Sequence, residues 1–110
     1  MRVLALVTDA FGGNGGIARY NQALVRAMAH STSVSEIVVL PRSGRAERGA
    51  LPDKTVQLTP SKSRADYAVR AAWLAIKDKF DVLFCGHLNM CALAERLARF
   101  GGARLWLQIH

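Results

Sequence analysis

A chain of 110 residues, 51% of them hydrophobic, is long enough for one domain with its own core, and folding at this length buries well over half of the extended surface. The composition excludes a disordered or fibrous chain, and no apolar run approaches the roughly 20 residues that a bilayer-spanning helix needs. The net charge of +7 leaves three classes of anionic partner: nucleic acid, an anionic membrane surface, or phosphate-rich small substrates.

Arg2 to Thr8 (RVLALVT) is a nearly continuous aliphatic run, the pattern of a strand buried on both faces of a parallel sheet. It is too short for a secretory signal, because Thr8 and Asp9 close it at once. A glycine-rich stretch follows. Ile17, Tyr20, Leu24, Val25 and Met28 then recur at helical spacing and predict a helix to about His30, with Arg19, Gln22 and Arg26 on its outer side. Glu36 to Leu40 is the second buried strand, ended by Pro41 and a polar loop around Gly44 and Gly49. Lys54 to Leu58 alternates and predicts a weaker strand near the sheet edge.

Ser63 and Asp66 resemble a capping box opening a helix to about Asp78, with Tyr67, Ala71, Leu74 and Ala75 facing inward. Asp81 to Cys85 is a strongly buried strand broken by Gly86 to Asn89. Met90, Leu93, Ala94, Leu97 and Ala98 keep a helical period that Gly101 would end in the left-handed conformation. Arg104 to Ile109 is the last strand. The alternation of strands and helices implies right-handed crossovers and an α/β, Rossmann-like, doubly wound parallel sheet in the order 3-2-1-4-5, as a single domain over residues 1–110.

In such a sheet ligands bind outside the carboxyl ends of the strands, where the strand order reverses. Three places qualify: Gly12 to Gly16, Gly86 to Asn89, and His110. In Phe11-Gly-Gly-Asn-Gly-Gly-Ile17, four glycines in five positions let backbone amides approach a ligand, and the following helix aims its positive end at the same spot. A phosphate suits this loop; the alternative is a plain strand-to-helix turn.

Gly13-x-Gly15-x-x-Ala18 also fits a loose dinucleotide fingerprint, but Asp9 to Gly12 lengthen the turn and no acidic ribose ligand follows Leu40. Arg42 at that place would suit a 2′-phosphate instead, which keeps an NADP-dependent oxidoreductase among the alternatives, beside a stand-alone phosphate- or nucleotide-binding module. Nucleic acid is disfavoured, because Arg42, Arg45, Arg48, Lys54, Lys62, Arg64, Lys77 and Lys79 lack interleaved aromatics for base stacking. Cys85 and Cys91 have neither a zinc-ligand spacing nor enough companions for a disulfide framework, which favours a reducing, cytoplasmic setting.

Together the segments RVLALVTDAFGGNGGIARYNQALVRAM, DVLFCGHLNMCALAERLAR and ARLWLQIH resemble the amino-terminal domain of a GT-B glycosyltransferase of the retaining family four, over nearly the whole chain. The resemblance implies half of a two-domain enzyme that moves a sugar from a nucleotide-sugar donor to a hydroxyl acceptor, glycan or lipid-linked, in cell-envelope or polysaccharide synthesis. The carboxyl-terminal donor domain lies outside these residues, so this chain alone is expected to be inactive. It further implies that Gly15 and Gly16 face the donor diphosphate, that Gly13, Asn14, His87 and Asn89 line the acceptor side, and that His110 opens a His-Gly-x-Glu motif and hydrogen-bonds the donor sugar at the reacting centre. Each histidine alone is as readily a structural residue. No metal and no cofactor beyond the donor is expected. The basic charge suits peripheral contact with an anionic membrane at its inner face.

Overall fold

A computed structural model describes residues 1–7, 16–42, 51–61, 63–78, 80–86, 91–102 and 104–107. The elements run β1 (Arg2–Val7), α1 (Gly16–Ala29), β2 (Glu36–Pro41), β3 (Thr55–Gln57), α2 (Arg64–Asp78), β4 (Val82–Cys85), α3 (Cys91–Gly101) and β5 (Arg104–Leu107). The five strands form one sheet in the order β3-β2-β1-β4-β5, and every neighbouring pair is parallel. Thus β1 lies at the centre and β2 and β4 flank it, so the chain reverses direction across the sheet between β1 and β4.

The period of two along the strands divides the core. Leu4, Leu6, Val38, Leu40, Leu83 and Cys85 point to one face and pack with Tyr67, Ala71 and Ala75 of α2 and Ala94, Leu97 and Ala98 of α3. Val3, Ala5, Val7, Ile37, Val39, Val82 and Phe84 point to the other and pack with Val25, Leu24, Met28 and Ala29 of α1. Because helices cover both faces, the central strands are apolar at nearly every position, which is why they read as continuous runs.

Several element ends differ from the sequence expectation, each for a local reason. The third strand begins at Thr55 because Lys54 has φ 64°, a left-handed backbone that costs a non-glycine residue roughly 1–2 kcal/mol. The Lys54 ammonium donates to the Ser31 and Val34 carbonyls at 3.2 and 3.0 Å, which ties this turn to the end of α1. Pro41 extends β2 rather than ending it: it pairs in register with Val7, and the next amide, Arg42 N–H, donates to Val7 O at 2.8 Å.

The helix ends follow the same logic. The left-handed residue after α3 is Gly102, φ 70°, one position later than expected. Ser63 does cap α2: its hydroxyl accepts from the Asp66 amide at 3.1 Å. Tyr20 does not share the inner face of α1. It is exposed, and the buried row is Ala18, Asn21 and Val25.

At the amino edge, Arg2 ties three elements. Its amide donates to Asp81 Oδ2 at 2.8 Å, its guanidinium pairs with Glu36 at 2.9 Å, and the same group sits 4.9 Å over the Phe80 ring. Met1 adds the backbone link to the turn after α1, since its carbonyl accepts from the Ser35 amide at 2.8 Å.

Candidate functional site

The site the topology selects is the carboxyl edge between β1 and β4. Gly86 sits there, immediately past β4, buried and with its amide donating to Leu6 O at 2.8 Å. A Cβ at this position would lie 3.1 Å from Val7 Cγ1, 3.4 Å from Asn21 Oδ1 and 3.4 Å from Phe84 Cε1. A side chain here would make Val7, Asn21 or Phe84 give way by a few tenths of an ångström, and at this glycine the end of β4 lies close against the end of β1 and the first turns of α1. Asn21 is fully buried at this junction, the one polar residue in the buried core among the described residues. An amide in a stripe otherwise made of small and aliphatic side chains stands where α1 meets the residue that follows β4.

Gly16 opens α1 at the same edge, exposed, with nothing within 4 Å of where a Cβ would stand. The first turn of α1 carries no acidic side chain, so no carboxylate of the helix itself competes for its amino-terminal amides and positive dipole end. Arg42 follows β2 on the other side of β1 and brings a cation to the same edge.

Beneath the rim, on the α2 side, Tyr67 is buried and donates its hydroxyl to Leu40 O at 2.9 Å. Burial pushes the Tyr67 hydroxyl far above the ordinary phenol range; the nearby Cys85 thiol pushes the same way, while Arg42 and Arg70 pull back weakly. This hydroxyl stays protonated at neutral pH and acts as a fixed donor that clamps the end of β2. The Cys85 thiol is buried in the same cluster.

Of the residues singled out in the sequence, Gly16 is thus at the expected rim. Gly13, Asn14, Gly15, His87, Asn89 and His110 lie outside the described residues. Asn21 and the packing role of Gly86 were missed. Asn21 had a signal: Ala18, Asn21 and Val25 keep the helical spacing, and a small residue beside an amide in that row marks close backbone approach. Tyr20 drew the stripe to itself by its size. Among the described residues no three His, Cys, Asp or Glu side chains come together as metal ligands, and no helix is long and apolar enough to cross a membrane. A separate cavity of about 330 Å³, lined by Arg26, Ala29, His30, Leu51, Pro52 and Asp53, lies at the opposite end of α1, away from the reversal of strand order.

No family model and no curated protein matches the chain. Among solved structures, the fold is similar to the apo form of the lipopolysaccharide outer core galactosyltransferase WaaB, with 18% identity and a TM-score of 0.57. The likeness covers 97% of this chain and 32% of that one, so the chain spans about a third of the length of its structural neighbour. At this identity the likeness establishes a shared α/β, Rossmann-like fold with a parallel sheet.

Proposed function

We propose that these residues form the amino-terminal, acceptor-side domain of a GT-B glycosyltransferase that transfers a sugar from a nucleotide-sugar donor to a hydroxyl acceptor with retention. The observation that carries this reading is the close packing of Gly86 against Val7 and Asn21 where the strand order reverses, on a fold shared with a galactosyltransferase over 97% of the chain. In this reading the bare amides of Gly15 and Gly16 and the positive end of α1 meet the donor diphosphate and offset the charge that grows as it leaves. Gly13, Asn14, His87 and Asn89 line the acceptor side, and His110 hydrogen-bonds the donor sugar. The nucleotide pocket belongs to a second, donor-binding domain, and the reaction calls for no metal and no cofactor beyond the donor.

The division of labour is testable by titration. The chain alone should show no micromolar affinity for UDP-galactose, and transfer should appear only in a protein that joins residues 1–110 to a donor-binding domain. Micromolar binding by this chain alone would contradict it. A second reading is favoured by Arg42, placed just past β2 where a 2′-phosphate would be met: an NADP-binding domain. Tight NADPH binding, followed by fluorescence of Trp73 and Trp106, with none to the sugar nucleotide would select that alternative.

A further inference from the structure

Two arginines meet at the carboxyl edge over β2 and β3, on the side covered by α2. Val38 and Leu40 of β2 point to that side, and Arg42 is next in the same row. Its amide donates to Val7 O at 2.8 Å, which holds it beside the end of β1. Past β3, Leu58 N–H donates to Val39 O at 2.9 Å, and the same register sets Thr59 next to Pro41. Arg70 reaches this segment from the second turn of α2: its Nη1 donates to Thr59 O at 2.7 Å and to Ser61 Oγ at 3.0 Å. Arg70 lies three residues after Tyr67, on the same side of the helix, and the Tyr67 hydroxyl donates to Leu40 O, two residues before Arg42. Both guanidinium charges pull on that hydroxyl, so they stand around one point.

No carboxylate pairs with either charge among the described residues: the ion pairs there are Arg2–Glu36 and Glu95–Arg99, elsewhere in the fold. Asp66, one turn before Arg70, forms no ion pair with it, and its amide belongs to the Ser63 cap. Arg42 and Arg70 are both half-buried, where a guanidinium lacking a counterion is costly to desolvate. The Arg70 contacts also leave a definite edge. Its Nη1 hydrogens are taken by Thr59 and Ser61, and Nη2 lies 3.5 Å from Thr59 Oγ1, at the limit of a hydrogen bond. The Nε–Nη2 edge, the fork that receives two oxygens of a phosphate or carboxylate, has no stronger partner among the described residues.

We infer that Arg42 and Arg70 bind an oxyanion at the carboxyl edge over β2 and β3, and that its source is a phosphate or carboxylate group carried by the sugar acceptor. The oxyanion site stands on the geometry alone; its assignment to the acceptor rests on the transferase reading. The site lies one to two strand spacings, about 5–10 Å, from the β1–β4 gap, so one small acceptor can span both. Arg42 alone would serve a 2′-phosphate at the end of β2, whereas the partner supplied by α2 and the Thr59–Ser61 segment places the second guanidinium toward β3.

The test is a titration of the ¹⁵N-labelled 110-residue chain with glucose 6-phosphate, glucuronate, glucose and adenosine 2′-monophosphate, read on the arginine Nε–H signals. Glucose 6-phosphate or glucuronate should shift the Arg42 and Arg70 signals with millimolar affinity, and the tighter of the two names the group. Glucose should shift neither. Arg42→Gln and Arg70→Gln should each weaken binding by about tenfold, the loss of one charge-assisted pair. Lys77→Gln removes the same charge at the far end of α2 and should weaken it by less than about twofold. Circular dichroism checks folding; should Arg70→Gln unfold, Arg42→Gln carries the same comparison, because Arg42 is held in place by its backbone. An equal loss in Lys77→Gln, or shifts from glucose as large as those from glucose 6-phosphate, would overturn the site. Tighter binding of adenosine 2′-monophosphate than of either sugar acid would overturn the acceptor assignment. Failure of the transferase reading is seen separately, as absent transfer by the protein joined to a donor-binding domain, with these shifts unchanged.

Discussion

The two faces of the sheet are covered in different ways. On the α1 side the core is mainly valine, with Ala5, Ile37 and Phe84, and it closes at the carboxyl rim around a buried amide, Asn21, and a glycine whose Cβ would meet neighbours at 3.1–3.4 Å. On the α2 and α3 side the core is mainly leucine from the strands and alanine from the helices, with Tyr67 and Phe80, and α2 keeps a further apolar row facing outward. The first layer spends its side chains on positioning a rim, whereas the second holds the domain together and leaves Val69, Trp73 and Ile76 of α2 exposed. Substitutions on the two sides should therefore differ in what they damage.

The largest loss is expected in the shared centre. Leu6→Ala, at a fully buried position in β1, should cost about 2–5 kcal/mol in urea unfolding, and a cost below ~1 kcal/mol would mean that this face is not the main core. Next is the rim: Gly86→Val must push into Val7 and Asn21, with an expected cost of about 1–3 kcal/mol, and a neutral result would show that the close approach is not required.

Tyr67→Phe should cost about 1 kcal/mol at neutral pH by removing the donor to Leu40 O. Its pH dependence sharpens the comparison. Because the folded state raises the hydroxyl above its unfolded value of about 10, the unfolded chain releases this proton first. The Tyr67 contribution is thus full below pH ~10 and falls as pH rises above it, so the gap between parent and Tyr67→Phe should narrow in alkaline urea titrations. A gap that widens would place the hydroxyl in a different environment. Smallest is Trp73→Ser, expected to change stability by no more than about 0.5 kcal/mol, since the side chain is 64% exposed. A larger loss would make the outer row part of the fold.

Much of this architecture was legible in the residue order. Runs such as RVLAL and EIVVL announce strands covered on both faces, and their alternation with helical periods leads to a parallel sheet. Ser63 was recognisable as a cap because its hydroxyl must reach an amide three residues on. The errors occur where size was taken for burial or where a conformation depends on a distant partner. Tyr20 is amphipathic and lies to the side of the buried stripe of α1, and its place in the core is taken by Asn21, which shares the helical spacing of Ala18 and Val25 but is not apolar.

Other differences need knowledge of neighbours. Lys54 turns left-handed while its ammonium holds two carbonyls at the end of α1, far away in sequence. Pro41 can stay in a strand because the amide it lacks is supplied one residue later, by Arg42. Of the candidate site, the position of Gly16 at the rim followed from the switch-point rule. The outer row of α2 was present in the sequence at helical spacing, but only the packed sheet shows which of its two apolar rows is covered.

The most direct test of the central claim is a titration of the ¹⁵N-labelled chain with UDP-galactose, followed amide by amide. Weak, millimolar-range shifts confined to the Gly16, Arg42 and Gly86 amides and their immediate neighbours are predicted. Shifts centred instead on Arg26, His30 and Asp53 at the opposite end of α1, or none at any edge of the sheet, would contradict a ligand site at the reversal of strand order.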